Sequence, residues 1–375
     1  MAIWEHAFAN HLSQASRNLL LVMVTMPYQT LITDVERSYQ AFNLTYSKHF
    51  GSTMGPQDFR SALKELDGDF LTYEREGSNT IVRYQNPSVR DFVKKYLTSA
   101  CTEMALLIEA VVFFEQVKFL WSWKYDGGGQ DALRRMCRED PAWVTSLMRK
   151  VLVSPPCRIM MISRAGVTRK EHWPFPFETK VALAAEIGTD SCTPLLDLVQ
   201  KELSKLEVEI QDRRFDRNGL ADIMEALASH VDEGVEWALN FTNTGWEALL
   251  AKPLWAYDLR PLRRLIEKCP SIIPEDALER VKEAVCSVAD SVASGEWDLD
   301  ADGFRYEAQS LESLAEDLSV DIASDLEVIY SLADELEEES GRNDEDVDFS
   351  PSSRCEDEST DDEIASMFNI LDITS

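Results

Sequence analysis

Apolar residues recur at helical spacing through most of this chain. Leu311, Leu314, Ala315 and Leu318 show the pattern well, because positions i, i+3, i+4 and i+7 lie on one face of a helix. A chain with many such stripes buries them by packing helix against helix, so the spacing predicts a mainly α fold. With 375 residues, the chain is long enough for more than one domain.

The first hundred residues add two short strands to the helices. The sequence predicts helices over residues 3–26, 34–42 and 57–66, where Pro27 ends the first, Thr33 caps the second and Pro56 opens the third. Residues 70–73 and 80–85 are rich in aromatic and β-branched side chains and predict a hairpin. A closing helix follows Asn86-Pro87-Ser88. This order predicts a winged-helix domain over residues 1–100.

Three stretches of this region carry a family resemblance: RNLLLVMVTMP, FRSALKELDGDFLTYE and IVRYQNPSVRDFVKKYL. They resemble the winged-helix segment that follows the ATPase core of bacterial STAND NTPases (signal-transduction ATPases with numerous domains), especially the novel STAND type of antiphage defence. The C-terminal EIASMFNIL is similar in style. The resemblance implies a cytoplasmic signal-transduction protein in which a winged helix joins a helical sensor array.

The chain departs from that family in its nucleotide-binding motif. It contains no G-x-x-x-x-G-K-[ST], and its one glycine run, Gly127-Gly128-Gly129, is followed by Gln130-Asp131, which supply neither the lysine nor the hydroxyl for phosphate and Mg²⁺. We therefore expect this chain not to bind ATP. The resemblance starts beyond the ATPase core, so we expect a truncated gene, a split-off subunit or a degenerate paralogue.

Beyond residue 100 the sequence predicts a succession of helices with short polar connections. They cover residues 102–124, 130–153, 178–188, 193–209, 217–240, 244–251, 258–268, 275–293, 305–319 and 322–339. No strict repeat emerges, and similar helix lengths predict an irregular, solenoid-like array over residues 101–340, a kind of surface that binds protein partners. Residues 154–176 are predicted to interrupt it as a loop.

Charge is concentrated at the C-terminal end. Residues 291–375 hold 27 Asp and Glu against three Arg, which is most of the net charge of −30. Residues 341–363 predict a disordered acidic linker. In the following segment, residues 364–375, an apolar stripe of Ile364, Met367, Phe368 and Leu371 predicts a short amphipathic helix that folds only when it docks on a surface.

The charge pattern argues against nucleic-acid binding. Arg83, Arg90, Lys94 and Lys95 lie near the predicted wing, but residues 1–100 contain ten acids and ten bases. A nucleic-acid reader needs a concentrated basic face to displace counterions from phosphate.

Cysteine usage and hydropathy predict a cytoplasmic protein. The seven cysteines are odd in number and never form a C-x-x-C pair, which is typical of reduced thiols. The N-terminal residues lack the basic start of a secretory signal. The longest apolar stretch, 104–121, contains Glu109, Glu115 and Lys118, so no membrane span is predicted.

One stretch resembles a metal loop. Asp298, Asp300 and Asp302 open like an EF-hand, but Arg305 and Gln309 stand at the eighth and twelfth positions, where an aliphatic residue and the bidentate Glu belong. An acidic turn with Asp caps is the favoured interpretation, with calcium left open. The five histidines show no zinc spacing.

No catalytic motif stands out, so the sequence predicts a protein that is not an enzyme, without catalytic, cofactor-binding or metal residues. His172 and Trp173, next to two prolines, suggest a loop that binds a partner. The favoured alternative is that the aromatic residues Trp173, Phe175 and Phe177 belong to the core. The favoured function is a signalling or sensor module that binds a protein partner through its helical array. The alternatives are an acidic adaptor or inhibitor whose tail binds a basic partner and, less favoured, a winged-helix transcription regulator.

Overall fold

The computed structural model describes residues 2–51, 55–76, 79–124, 127–164, 167–212, 215–251, 255–295, 297 and 299–341. Within these residues the chain is mainly α-helical, as the sequence predicts, with five short strands. The helices are α1 Ala2–Asn10, α2 Gln14–Thr25, α3 Ile32–Phe50, α4 Pro56–Leu66, α5 Pro87–Ser99, α6 Cys101–Glu109, α7 Phe114–Ser122, α8 Gly129–Glu139, α9 Pro141–Leu152, α10 Phe177–Ser191, α11 Thr193–Gln211, α12 Arg217–Asp232, α13 Glu236–Leu250, α14 Ala256–Lys268, α15 Ala277–Ala293, α16 Ala301–Leu318 and α17 Ala323–Gly341. The strands are β1 Thr30–Leu31, β2 Leu71–Glu76, β3 Asn79–Tyr84, β4 Ile159–Arg164 and β5 Val167–His172.

A three-stranded antiparallel sheet lies among the first five helices. Its order is β1-β3-β2, with Tyr73 opposite Val82 in the predicted hairpin. The sequence missed β1, whose two residues pair with Ile81 and Val82. Tyr84 fixes the sheet to the helices, because its buried hydroxyl donates a hydrogen bond to Leu20 O at 2.7 Å.

The predicted helix over residues 3–26 is in fact two helices. Ser13 separates them by capping α2, since its Oγ accepts a hydrogen bond from Ser16 N at 3.2 Å. The cap predicted at Thr33 is also wrong: α3 starts at Ile32, two residues before the predicted start, and no side chain caps it. By contrast, Asn86 caps α5 as predicted, accepting from Ser88 N at 2.9 Å.

Three longer predicted helices also divide, each at a local signal. The predicted helix 102–124 breaks between α6 and α7, and 130–153 breaks at Asp140, whose Oδ1 accepts from Trp143 N at 2.9 Å and caps α9. The predicted helix 217–240 ends at Asp232, because Gly234 adopts a φ of 76°. α13, Glu236–Leu250, then combines the last residues of the predicted helix 217–240 with most of the predicted helix 244–251.

From α10 onward, each helix packs mainly on the next one or two along the chain. α10 contacts α11 and α12, α12 contacts α13 and α14, α14 contacts α15 and α16, and α16 contacts α17. The buried apolar side chains form one continuous cluster from Phe8 to Ala333. Gln116 adds a polar link across this core, since its Nε2 donates to Thr25 Oγ1 at 2.9 Å and joins α7 to α2.

The interruption predicted at residues 154–176 is not a plain loop. It contains the β4–β5 hairpin, in which Ile159 lies opposite His172. Prolines on both sides and the basic, methionine-containing sequence concealed the strands.

The predicted acidic linker beyond Gly341 and the predicted segment 364–375 lie outside the described residues. In the part of the chain that the structure covers, no helix is long and apolar enough to cross a membrane.

Candidate functional site

One face of α14 carries a stripe of basic side chains. Arg260, Arg263, Arg264 and Lys268 follow each other at helical spacing, while Leu262 and the other leucines of the opposite face are buried. The start of the helix is fixed to α16, since Ala256 N donates to the buried Glu307 Oε2 at 2.9 Å. Packing against α16 therefore places the basic stripe along the seam between α14 and α16.

A groove of about 490 Å³ runs along this seam. We call it the α14 groove, and its lining residues are Arg260, Arg263, Arg264, Glu267, Tyr306, Gln309, Ser310, Ser313 and Leu314. Its polar lining residues carry guanidinium, hydroxyl and amide groups, and Glu267 is the one carboxylate among them. The groove therefore offers hydrogen-bond donors to an anionic ligand.

Arg260 is the groove cation with the least neutralised charge. It is exposed, its Nη2 donates to Ser310 Oγ at 2.9 Å, and its Cζ lies 5.6 Å from the ring centroids of both Tyr257 and Tyr306. Among the residues that the structure describes, no carboxylate forms an ion pair with it; Glu307 is near but directs Oε2 to Ala256 N. The two rings hold the guanidinium in place for an incoming anion.

The other two arginines of the groove are already paired with carboxylates from neighbouring helices. Arg263 Nη2 lies 2.6 Å from Asp317 Oδ2, and Arg264 Nη2 lies 2.6 Å from Asp222 Oδ1. Burial nevertheless raises the pKa of Asp222, and the charge of Arg264 opposes that rise. These pairs set the direction of the side chains and leave Arg260 as the available charge.

A second groove of about 500 Å³ lies on the other side of Arg264, between α10, α12 and α14. Its charges balance more closely, because Lys268 Nζ donates to Glu225 Oε1 at 2.9 Å and Asp222 faces Lys118. Burial also lowers the pKa of Lys118. This groove is less suited to anions than the α14 groove.

The structure brings one cysteine near acids and a histidine. Cys157 N donates to the buried Glu115 Oε1 at 3.1 Å, and His172 Nε2 lies 2.7 Å from Asp34 Oδ2. Burial first, and then the charges of Glu115 and Asp34, raise the pKa of the Cys157 thiol far above its usual value. A nucleophilic cysteine needs the opposite shift, so this cluster has the chemistry of a structural junction.

That junction fastens the β4–β5 hairpin and its flanks to α3, β2 and α7. Lys170 Nζ lies 3.3 Å from Glu74 Oε1, and Phe175 packs edge-on against Phe114 at 5.7 Å. Trp173, which the sequence marked for binding or for the core, is 42% exposed, so it is not a core residue. His172 is also exposed, and Asp34 holds its ring in place.

The basic residues near the predicted wing are used within the structure. Arg90 Nη2 donates to Val24 O and Met26 O, each at 3.1 Å. Lys94 Nζ lies 5.2 Å from the Phe119 ring centroid, and burial lowers its pKa. Arg83 Nε donates to Thr72 Oγ1 at 3.2 Å. These contacts turn the side chains toward protein groups.

The acidic turn before α16 contains a helix cap. Asp300 Oδ1 accepts from Gly303 N at 2.8 Å, as the favoured interpretation of this turn predicts, whereas Asp298 lies outside the described residues. Across the described ranges, no three His, Cys, Asp or Glu side chains gather as metal ligands.

The glycine run serves close packing. Gly127 adopts a φ of 70°, and a Cβ on Gly129 would lie 2.6 Å from Leu120 O. These glycines therefore allow α8 to start against α7.

No protein-family model matches the chain, and neither a curated protein nor a solved structure matches it. The basic stripe was missed in the sequence, although R-x-x-R-R-x-x-x-K within an acidic chain was a visible signal.

Proposed function

We propose that this chain is a non-catalytic signalling or sensor module that binds a protein partner through its helical array, at the α14 groove. The observation that carries the proposal is Arg260, an exposed guanidinium held between Tyr257 and Tyr306 without a carboxylate partner in the described structure. Tyrosine and arginine side chains dominate the binding energy of many protein interfaces.

The arrangement of the first hundred residues is compatible with a winged helix. The sheet order β1-β3-β2, the α3 and α4 helices between β1 and β2, and the closing α5 are what such a domain requires. The sequential packing from α10 to α17 supports an irregular, solenoid-like array. Together they favour the STAND-like reading, in which the array senses and the winged helix transmits.

The polar clusters favour a non-catalytic, cytoplasmic module. The Cys157 thiol has a strongly raised pKa, which opposes nucleophilic chemistry. The seven cysteines, odd in number and without a C-x-x-C pair, support a reducing compartment.

The test is binding to a P-loop ATPase encoded beside this chain. We expect a stable complex by size-exclusion chromatography with light scattering. R260Q should weaken it at least about tenfold, the usual effect of losing an interface hot spot. R280Q is the matched control, because Arg280 also loses one charge but pairs with Glu247 on the surface of α13 and α15. Absence of such a gene, or of a complex, contradicts the proposal and favours the acidic adaptor.

A further inference from the structure

The chain leaves α17 beside one end of the α14 groove. α17 runs antiparallel to α16, because Arg305 at the start of α16 pairs with Asp334 and Glu337 near the end of α17, whereas Glu312 meets Tyr330 further along. Arg305 directly precedes Tyr306, which lines the groove. The C-terminal end of α17 therefore lies beside the end of the groove that Tyr306 lines.

From the end beside α17, the groove extends along α14 and α16 toward their C-terminal ends. Ala256 meets Glu307, Arg260 meets Ser310 and Arg263 meets Asp317, so α14 and α16 run parallel. The 18 residues of α16 span roughly 27 Å at 1.5 Å per residue. Residues 342–363 reach about 70 Å when extended and average roughly 26 Å as a flexible chain, which is enough to follow the groove.

The negative charge of residues 342–363 favours the α14 groove as their binding site. Residues 342–363 contain ten Asp and Glu against two Arg, a balance of −8 out of −30 for the whole chain. The other residues carry the remaining −22 of this net charge, so the protein as a whole does not attract the tail. The α14 groove offers hydrogen-bond donors instead: the Arg260 guanidinium, which forms no ion pair among the described residues, with the Ser310 and Ser313 hydroxyls and the Gln309 amide beside it.

Weak contacts are sufficient for docking within one chain. A short flexible connection gives an effective concentration on the order of 1 mM, so a segment with a dissociation constant of about 0.1 mM would be docked roughly nine-tenths of the time. Attraction between the tail carboxylates and the groove falls as ions screen the charges, so docking is strongest at low salt.

We propose that the acidic tail, residues 342–363, occupies the α14 groove of its own chain and competes there with acidic segments of other proteins. The inference rests on the proposed function only in assigning the groove to partner binding. Docking of the tail is a separate event and can be measured without any partner protein.

The probe is a fluorescein-labelled peptide of residues 342–363, titrated by anisotropy at about 50 mM NaCl, where screening is modest. Two full-length proteins are compared: the natural chain, and a neutral-tail chain in which the ten acids of residues 342–363 are replaced by Asn and Gln. The neutral-tail chain should bind the peptide. The natural chain should bind it about tenfold more weakly, because its own tail occupies the groove.

Substitutions in the neutral-tail chain locate the binding. R260Q should weaken peptide binding at least about fivefold, since it removes the available guanidinium, while R280Q should change it less than about twofold. Far-UV circular dichroism verifies that both variants are folded. Equal binding by R260Q and R280Q overturns the assignment to the groove, and equal binding by the natural and neutral-tail chains overturns self-docking.

One further measurement separates the same chain from a second copy. Amide exchange of residues 306–318 should be slower in the natural chain than in the neutral-tail chain, and equally so at every protein concentration. Protection that grows with concentration assigns the tail to a second molecule and overturns the proposal. If all these results hold but the ATPase complex does not form, only the proposed function fails.

Discussion

Replacing Trp246 by Phe tests whether the helical array is packed as described. The indole of Trp246 is fully buried in α13, and its Nε1 donates to Ile272 O at 2.7 Å in the connection between α14 and α15. This hydrogen bond joins α13 to the connection that follows α14. The substitution removes it and leaves an apolar ring in the same site.

The expected cost has two parts. The buried carbonyl of Ile272 loses its donor, which costs about 1–3 kcal/mol. The smaller ring leaves unfilled volume, which adds roughly 1 kcal/mol. W246F should therefore lower the free energy of unfolding by about 2–4 kcal/mol.

Urea unfolding followed by far-UV circular dichroism measures the effect, with W237F as the matched control. Trp237 lies in the same helix but is only partly buried, so its replacement should cost less than about 1 kcal/mol. If W246F costs no more than W237F, Trp246 does not hold the array together in the way proposed.

Four further outcomes are expected. Burial raises the pKa of Glu307, an effect that the Ala256 N–H and the Arg260 charge oppose. The ionised form therefore costs folding stability above its ordinary pKa of 4.5. E307Q should thus be no less stable than the natural chain in urea at about pH 7, with any advantage disappearing as the pH falls to about 4; a loss above about 1 kcal/mol at pH 7 would contradict this. Isothermal titration calorimetry should detect no saturable ATP binding at micromolar concentration, because the sequence contains no G-x-x-x-x-G-K-[ST] motif to hold the phosphates. A gel shift with random duplex DNA should show no binding at physiological salt, because Arg90 and Lys94 are turned toward protein groups. Residues 364–371 should dock on a surface, and M367D/F368D should raise their amide exchange to the rate of the isolated peptide of these residues while the body stays folded; exchange at the isolated-peptide rate in the natural chain, alone and with a bound partner, would refute docking.

Local signals predicted the parts of the fold that depend on neighbouring residues. Asn86 before Pro87 marks the start of α5 correctly, because the cap is a hydrogen bond between residues two apart. The same kind of signal at Ser13 was overlooked inside a long apolar stretch, so two helices were read as one. Strand β1 was beyond local reasoning, since its two residues are held by pairing with Ile81 and Val82 some fifty positions away.

The candidate site was only half visible in the sequence for a similar reason. The spacing of Arg260, Arg263 and Arg264 places them on one face of a helix. Which of them stays available depends on Asp317 and Asp222, which arrive from other helices about 40–55 residues distant in the chain. Only the tertiary structure distinguishes the available guanidinium from the two that are paired.

The most direct test of protein binding through the α14 groove is amide exchange of this chain with and without the adjacent-gene ATPase. We expect the partner to slow exchange in residues 256–268 and 301–318, the helices that form the groove, and to leave residues 277–293 unchanged. Slower exchange confined to the first hundred residues, with the groove helices unaffected, would contradict the account.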